Sequence, residues 1–159
     1  MTTTLLEQMK TYKIFVDTCT FMHRGFQRAI LENFREMHWL GYKFYTFPIV
    51  LAELRNISQN PHKDSDARNK ALNALVIIEH LKELGLMEIV NVSYEGYGKT
   101  ADQMFLGYFV SNCNKENLQL ITQDKKLTGD IGSINGLKTY NGKAIRVTRY
   151  NDGKLEVII

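Results

Sequence analysis

Short apolar runs alternate with stretches of helical periodicity along this chain, and that alternation restricts its fold more than any other feature. Residues 12–16 (YKIFV) are an apolar run of strand length that ends at Asp17. Phe26, Ile30, Phe34 and Met37 then recur at helical spacing, which predicts a helix over 22–40 with Gly41 as its stop. A second strand is expected at 43–47 (KFYTF). Pro48 suits a helix start, so 49–56 reads as a short helix carrying Glu53. A polar loop at 58–66 leads to Asp66, a candidate cap for a helix over 67–84 with Ala71, Leu72, Leu75, Ile78 and Leu81 on one face and Gly85 at its end.

The second half continues the alternation. Residues 87–92 (MEIVNV) read as a strand, 94–99 as a glycine- and tyrosine-containing loop, and Thr100 or Asp102 as the opening of a helix with Met104, Phe105, Tyr108 and Phe109 inward. Residues 118–122 (LQLIT) form a strand just before Asp124, and 130–134 a short helix or turn. Residues 144–150 and 154–159 around Asn151-Asp152-Gly153 predict a β-hairpin, because Asp-Gly favours a tight primed turn. The order β-α-β-α-α-β-α-β-(α)-β-β implies an α/β protein with a mainly parallel sheet covered on both faces, plus a C-terminal β-hairpin adding an antiparallel edge strand. A single domain over 1–159 is expected, its core at about 13–147.

Composition narrows the class. Of the 159 residues, 44% are hydrophobic, enough for a sizeable core and too many for a disordered chain. No apolar run is long enough to span a membrane, and the N-terminus lacks the pattern of a secretion signal. Cys19 and Cys113 are too few for a disulfide framework or a structural zinc site and read as buried or semi-buried thiols in a reducing compartment, which gives a cytoplasmic expectation. A net charge of +3 permits nucleic-acid binding without arguing for it.

Four carboxylates fall at equivalent places. Asp17 and Asp124 follow the ends of apolar strands, Glu53 lies on the helix after the second strand, and Asp102 lies in the first turn of a later helix. In an open parallel sheet those positions share one edge, where ligands bind. Crowded carboxylates repel unless a cation sits among them. Mg²⁺ takes oxygen ligands and keeps some waters, and such an ion activates water and neutralises charge on a cleaved phosphodiester. Each acid also has a structural reading: Asp102 as a cap, Asp124 as a turn residue, Glu53 as a solvated helix residue. Asp17 is harder to set aside, because the strand before it delivers its side chain into a crowded place.

The chain resembles the PIN-domain family of metal-dependent nucleases. The resemblance lies in Ile14-Phe15-Val16-Asp17-Thr18-Cys19, Pro48 to Leu54 around Glu53, Thr100-Ala101-Asp102, and Leu120 to Leu127 around Asp124, and covers residues 13–147. It implies a three-layer α/β/α fold and an endoribonuclease, with single-stranded DNA as an alternative substrate. It places Mg²⁺ or Mn²⁺ on Asp17, Glu53, Asp102 and Asp124. Thr18 and Thr122 become hydroxyls that orient a carboxylate or a water, and Asp130 an extra acid or a cap. The polar loop and long helix look more like the PIN modules of larger housekeeping proteins than like toxins. The hairpin extends past the family's usual last strand and receives no role.

Lys99, Lys125 and Lys126 flank two of the acids, and Arg24 and Arg28 sit one helical turn apart; each is a candidate phosphate contact or a solvated surface charge. His23, His38, His62 and His80 have no metal-ligand spacing. Trp39 reads as core or interface, and Tyr94 and Tyr97 as candidates for stacking on bases. Two alternatives stay open: a non-catalytic nucleic-acid- or protein-binding module, and a toxin restrained by a separate regulatory protein. An aspartyl-nucleophile phosphatase is disfavoured because Cys19 stands where a second Asp is needed. A homodimer through the aromatic-rich stretch 34–47 is a further expectation.

Overall fold

A computed structural model describes residues 1–92, 99–137 and 144–159. Residues 2–11, to which the sequence pattern assigns no element, form strand β1 (Thr2–Thr3) and helix α1 (Leu5–Thr11). Thr4 and Glu7 make a reciprocal capping box at the start of α1, satisfying two amides that a helix end leaves without partners. Strand β2 (Lys13–Val16) follows, with Ile14, Phe15 and Val16 fully buried.

The helix expected over 22–40 begins at Arg24, and a short helix with no counterpart in the sequence pattern precedes it. Asp17 caps α2 (Thr18–Met22), and His23 then caps α3 (Arg24–Leu40). His23 adopts an extended backbone, and its Nδ1 accepts from the amide of Phe26 at 3.2 Å, so the ring performs the capping that a short polar side chain usually performs. Phe26, Ile30 and Met37 are buried and Phe34 packs against the core, the face that the spacing predicts. Gly41 ends the helix at φ 70°, a left-handed conformation suited to glycine.

Strand β3 (Phe44–Thr46) leads to α4 (Pro48–Gln59), which is longer than expected at the expense of the polar loop. Helix α5 (Ser65–Glu83) is capped by Asp64, not Asp66: the Asp64 carboxylate accepts from the Ala67 amide at 2.7 Å. Asp66 sits in the first turn, held by Arg24 and Lys70. Leu72 is exposed instead of joining the buried face, as is Trp39, 87% exposed and therefore not a core residue.

Strand β4 (Met87–Ile89) is shorter than expected. Helix α6 (Ala101–Asn112) opens on a Thr100–Gln103 capping box, and Met104, Phe105, Tyr108 and Phe109 are buried as their spacing requires. Then come β5 (Leu118–Ile121), α7 (Lys125–Asn135), β6 (Arg146–Asn151) and β7 (Lys154–Val157). Helix α7 begins five residues earlier than expected, at the cap Asp124, so Asp130 lies inside it and caps nothing. Asp152 and Gly153 both take positive φ, the primed turn that Asn-Asp-Gly predicts.

The strands form one sheet in the order β1-β7-β6-β5-β2-β3-β4. From β6 to β4 every neighbouring pair is parallel; β7 is antiparallel to β6. The hairpin does not supply the edge, because β1 pairs antiparallel with the outer side of β7. Helices cover both faces, as expected for an α/β protein. Phe26 of α3 meets Phe44 and Tyr150 on one face, while Phe15 meets Phe105, Tyr108 and Phe109 of α6 on the other. Each such ring pair adds about 0.5–1.5 kcal/mol beyond its buried area. Among the described residues no helix is long and apolar enough to cross a membrane.

This topology fixes where a ligand site belongs. From β2 the chain crosses to β3 and β4 on one side, then returns to β5 on the other. The strand order reverses between β2 and β5, and the crevice outside their carboxyl ends is where open α/β sheets bind ligands. Asp17 follows β2 and Asp124 follows β5, so the two flank that crevice.

Candidate functional site

Asp17 is 5% exposed. Its Oδ1 accepts from the Thr20 amide at 2.9 Å, and its Oδ2 accepts a short hydrogen bond from the Thr122 hydroxyl. Burial raises the Asp17 carboxyl above its ordinary value; the donors Thr122 and Thr20 oppose this, and the charge of Asp124 adds to it. Glu53 projects from α4, and its Oε2 accepts from the Thr18 hydroxyl at 2.6 Å. Asp124 turns one oxygen to the amides of Lys126 and Leu127, at 2.8 and 3.1 Å, while its own amide donates to Thr122 Oγ1 at 3.0 Å. Thr122 therefore bridges Asp17 and Asp124, and Thr18 ties Glu53 to the same helix start.

Asp102 lies in the first turn of α6. Burial raises its carboxyl, followed by the charges of Asp124 and Glu53; Lys126 opposes them and Asp130 adds to them. The Cys19 thiol is pushed up to about 11 by crowding of its sulfur, then by Asp17, Asp124, Asp102 and Glu53. One side chain thus senses all four acids, which places them in a common field. Cys19 itself is exposed, not buried or semi-buried as the sequence suggested, whereas Cys113 is buried.

Asp17 and Asp124 are helix N-caps and Asp102 lies in a first turn, so three helix N-termini face this edge and partly offset its negative charge. That offset is incomplete. Among the described residues none of the six ion pairs involves Asp17, Glu53, Asp102, Asp124 or Asp130. Nor, among those residues, is any group of three or more His, Cys, Asp or Glu side chains gathered closely enough to hold an ion as it stands. The hydrogen bonds give a physical reason: Asp17, Glu53 and Asp124 each turn toward a local hydroxyl or amide, as repelling carboxylates do. The donor set is all oxygen, and a buried carboxylate without a cationic partner is costly, so the residues fit a hard divalent cation.

Two residues that sequence reading missed hold the site in place. Thr20, fully buried, donates its hydroxyl to the Ile121 carbonyl at 3.1 Å, fastening α2 to β5. Gln123, between Thr122 and Asp124, donates to the Tyr150 carbonyl and accepts from its amide, both at 2.9 Å, fixing the end of β6 beside the acids. A Thr three residues after a capping Asp is a recognisable signal; the Gln123 clamp depends on strand order and has none.

The basic candidates separate. Lys126 is exposed and close enough for its charge to lower Asp102; Lys99 and Lys125 are exposed at the starts of α6 and α7. Arg24 donates to Asp66 at 2.6 Å, so a neighbouring acid already holds it, whereas Arg28 is exposed without an ion pair among the described residues. His23 acts as a helix cap. Tyr94 and Tyr97 lie outside the described residues. No family model matches the chain, and no curated protein matches its sequence.

Proposed function

We propose that the chain is a PIN-type metal-dependent endonuclease that hydrolyses phosphodiester bonds in RNA. The observation that carries this reading is a buried acid, Asp17, set among Glu53, Asp102, Asp124 and Asp130 at the sheet's switch point with no cation paired to any of them among the described residues. An arrangement built for stability alone pairs its buried charges. Asp17, Glu53, Asp102 and Asp124 would hold Mg²⁺ or Mn²⁺, with Asp130 the acid nearest in role to them. When bound, such an ion supplies an activated water and neutralises charge on the phosphoryl oxygens.

The chain's own residues prepare the edge. Thr122 and the Thr20 amide fix both oxygens of Asp17, and Thr18 fixes one oxygen of Glu53, so these carboxylates keep their aim as a phosphate approaches. Lys126 brings positive charge beside Asp102, where it offsets the repulsion between the acids and the nucleic-acid backbone. The decisive test is cleavage of short single-stranded RNA and DNA with Mn²⁺, Mg²⁺ or EDTA, beside Asp17→Asn. Cutting that requires metal and disappears in the variant is expected, with RNA the better substrate. Cutting that persists in Asp17→Asn would remove the assignment, and a folded protein that never cuts would favour a binding module.

A further inference from the structure

The C-terminal hairpin carries a feature that phosphodiester chemistry does not use. The β6–β7 turn and the start of α3 enclose a cavity of about 350 Å³ lined by His23, Arg28, Glu32, Tyr150 and the Asp152–Gly153 turn. Its place is set by strand register. Strands β5 and β6 run parallel with Ile121 opposite Thr148, so Gln123 and Asp124 come level with Tyr150 and Asn151 on the adjacent strand, about 4.8 Å away. The Gln123 amide clamps the Tyr150 backbone at both of its polar atoms. The cavity therefore opens on the same edge as the acids, one strand over, and is rigidly joined to them.

Its inner wall is aromatic and tightly packed, and its mouth is polar. The Tyr150 and His23 rings meet edge to face with centroids 5.5 Å apart. Gly25 lies against them, where an added Cβ would come within 2.9 Å of the His23 ring and 3.0 Å of Tyr150. His23 Nδ1 is committed to the Phe26 amide, leaving Nε2 as the ring's remaining polar atom. Arg28 and Glu32 stand at i,i+4 on α3, yet among the described residues neither takes an ion pair, with each other or with any other group. Arg before Glu is the weaker order for such a pair on a helix. Both groups nonetheless act on Tyr150: its hydroxyl is raised first by burial and next by Glu32, while Arg28 and the Gly153 amide oppose the rise.

An exposed guanidinium fork and an exposed carboxylate, side by side at the mouth of an aromatic-walled cavity, form a donor–acceptor pattern. Guanine complements it fully: its adjacent N1–H and N2–H₂ donors match the two oxygens of one carboxylate, and its O6 and N7 match the arginine fork. Cytosine and adenine each offer the carboxylate one amino group beside a ring acceptor, and uracil only its N3–H, so none of them matches both of its oxygens. The Glu32 and Asp152 charges disfavour a phosphate as the occupant. We infer that this cavity binds a guanine base of the nucleic acid, one neighbouring nucleotide from the acidic edge, with Glu32 and Arg28 reading it. The inference rests on the proposal that the acidic edge acts on nucleic acid, but binding of the base needs no metal.

The test is a titration of ¹⁵N-labelled protein with GMP, CMP, AMP and UMP in EDTA, repeated with Glu32→Gln and Arg28→Met. Both positions are exposed, so the variants are expected to fold. GMP should bind about tenfold tighter than AMP or UMP, as one bidentate base contact provides. Amide shifts should centre on Gly25, Glu32 and Gly153, and Glu32→Gln should erase the preference. Equal affinity for all four nucleotides, or a guanine preference that survives Glu32→Gln, overturns the inference. Metal-dependent cleavage by the same preparation reports separately on the nuclease: guanine preference without cleavage retains the cavity and sinks the nuclease, and cleavage without guanine preference does the reverse.

Discussion

The two ends of strand β2 carry opposite charges and treat them in opposite ways. At its start, Lys13 is partly buried and fully matched: its ammonium donates to Glu116 at 2.8 Å and to Tyr108 at 3.1 Å and lies over the Tyr45 ring at 4.7 Å. Burial alone pulls its pKa down, but Glu116 and Tyr108 outweigh it and the net direction is up. Just past the other end, Asp17 is more deeply buried and meets hydroxyls, an amide and other acids, so burial wins and its carboxyl moves toward the neutral form. One short strand thus holds a charge whose partner the chain supplies and a charge that, among the described residues, takes no ion pair. The first arrangement contributes to stability; the second, on the proposed function, sacrifices stability for binding an ion.

The largest expected effects lie at the unmatched end. Asp17→Asn should lower metal-dependent cleavage on the order of 10³-fold, since an ion-bound oxygen contributes several kcal/mol to phosphoryl transfer. In EDTA the same variant should melt higher than the parent by about 2–4 °C, because it removes a buried uncompensated charge. Mn²⁺ should raise the melting temperature of the parent and leave Asp17→Asn nearly unmoved, as linkage requires of an ion that binds only the folded site. If Asp17→Asn is less stable than the parent without metal, the contrast between the two ends of β2 fails. A smaller loss is expected for Thr18→Val, which removes the 2.6 Å bond that aims Glu53. Activity or metal affinity should fall about 10–100-fold, as for other groups that orient a ligand.

The acid end of this contrast is legible in the sequence. The Lys13–Glu116 end is not, because it pairs residues 103 positions apart, and the other exceptions have physical causes too. Asp17 and Asp124 stand out because each follows a run of apolar residues, and a strand end in an α/β sheet leads to the ligand edge. Glu53 and Asp102 follow from helix placement, and Asp130 joins them because α7 begins at Asp124 and carries it toward Asp102. The short helix α2 and the cap at His23 are hidden, because five residues leave no helical period and a histidine that caps through its ring looks like one inside a helix. Asp64 and Asp66 are both competent caps, and the choice is made by tertiary pairing: Arg24 of α3 and Lys70 claim Asp66. Strand β1 is too short to leave a pattern, and its pairing partner β7 is more than a hundred residues away. The Gln123–Tyr150 clamp is equally invisible, since only the sheet order brings the two together.

The matched end gives smaller and purely structural effects. Glu116→Gln should cost about 1–2 kcal/mol, between the values for exposed and buried pairs, because the two side chains are 22% and 30% exposed. Cleavage should be unchanged, since Glu116 follows α6 and precedes β5, at the opposite edge of the sheet from the acids. The pH dependence has a definite sign. Lys13 has a folded pKa above its ordinary 10.5, so the protonated side chain favours the folded state. Its contribution is fully present below pH 10.5 and is lost as pH rises through the higher folded value. Urea unfolding should therefore show a constant gap between parent and Glu116→Gln from pH 7 to about 9.5, narrowing only in more alkaline solution. A gap that closed near neutrality would mean that Lys13 is not the group being stabilised. The contrast between the two ends of β2 would then fail, and the absence of an ion pair at Asp17 among the described residues would no longer support the proposal that an ion binds there.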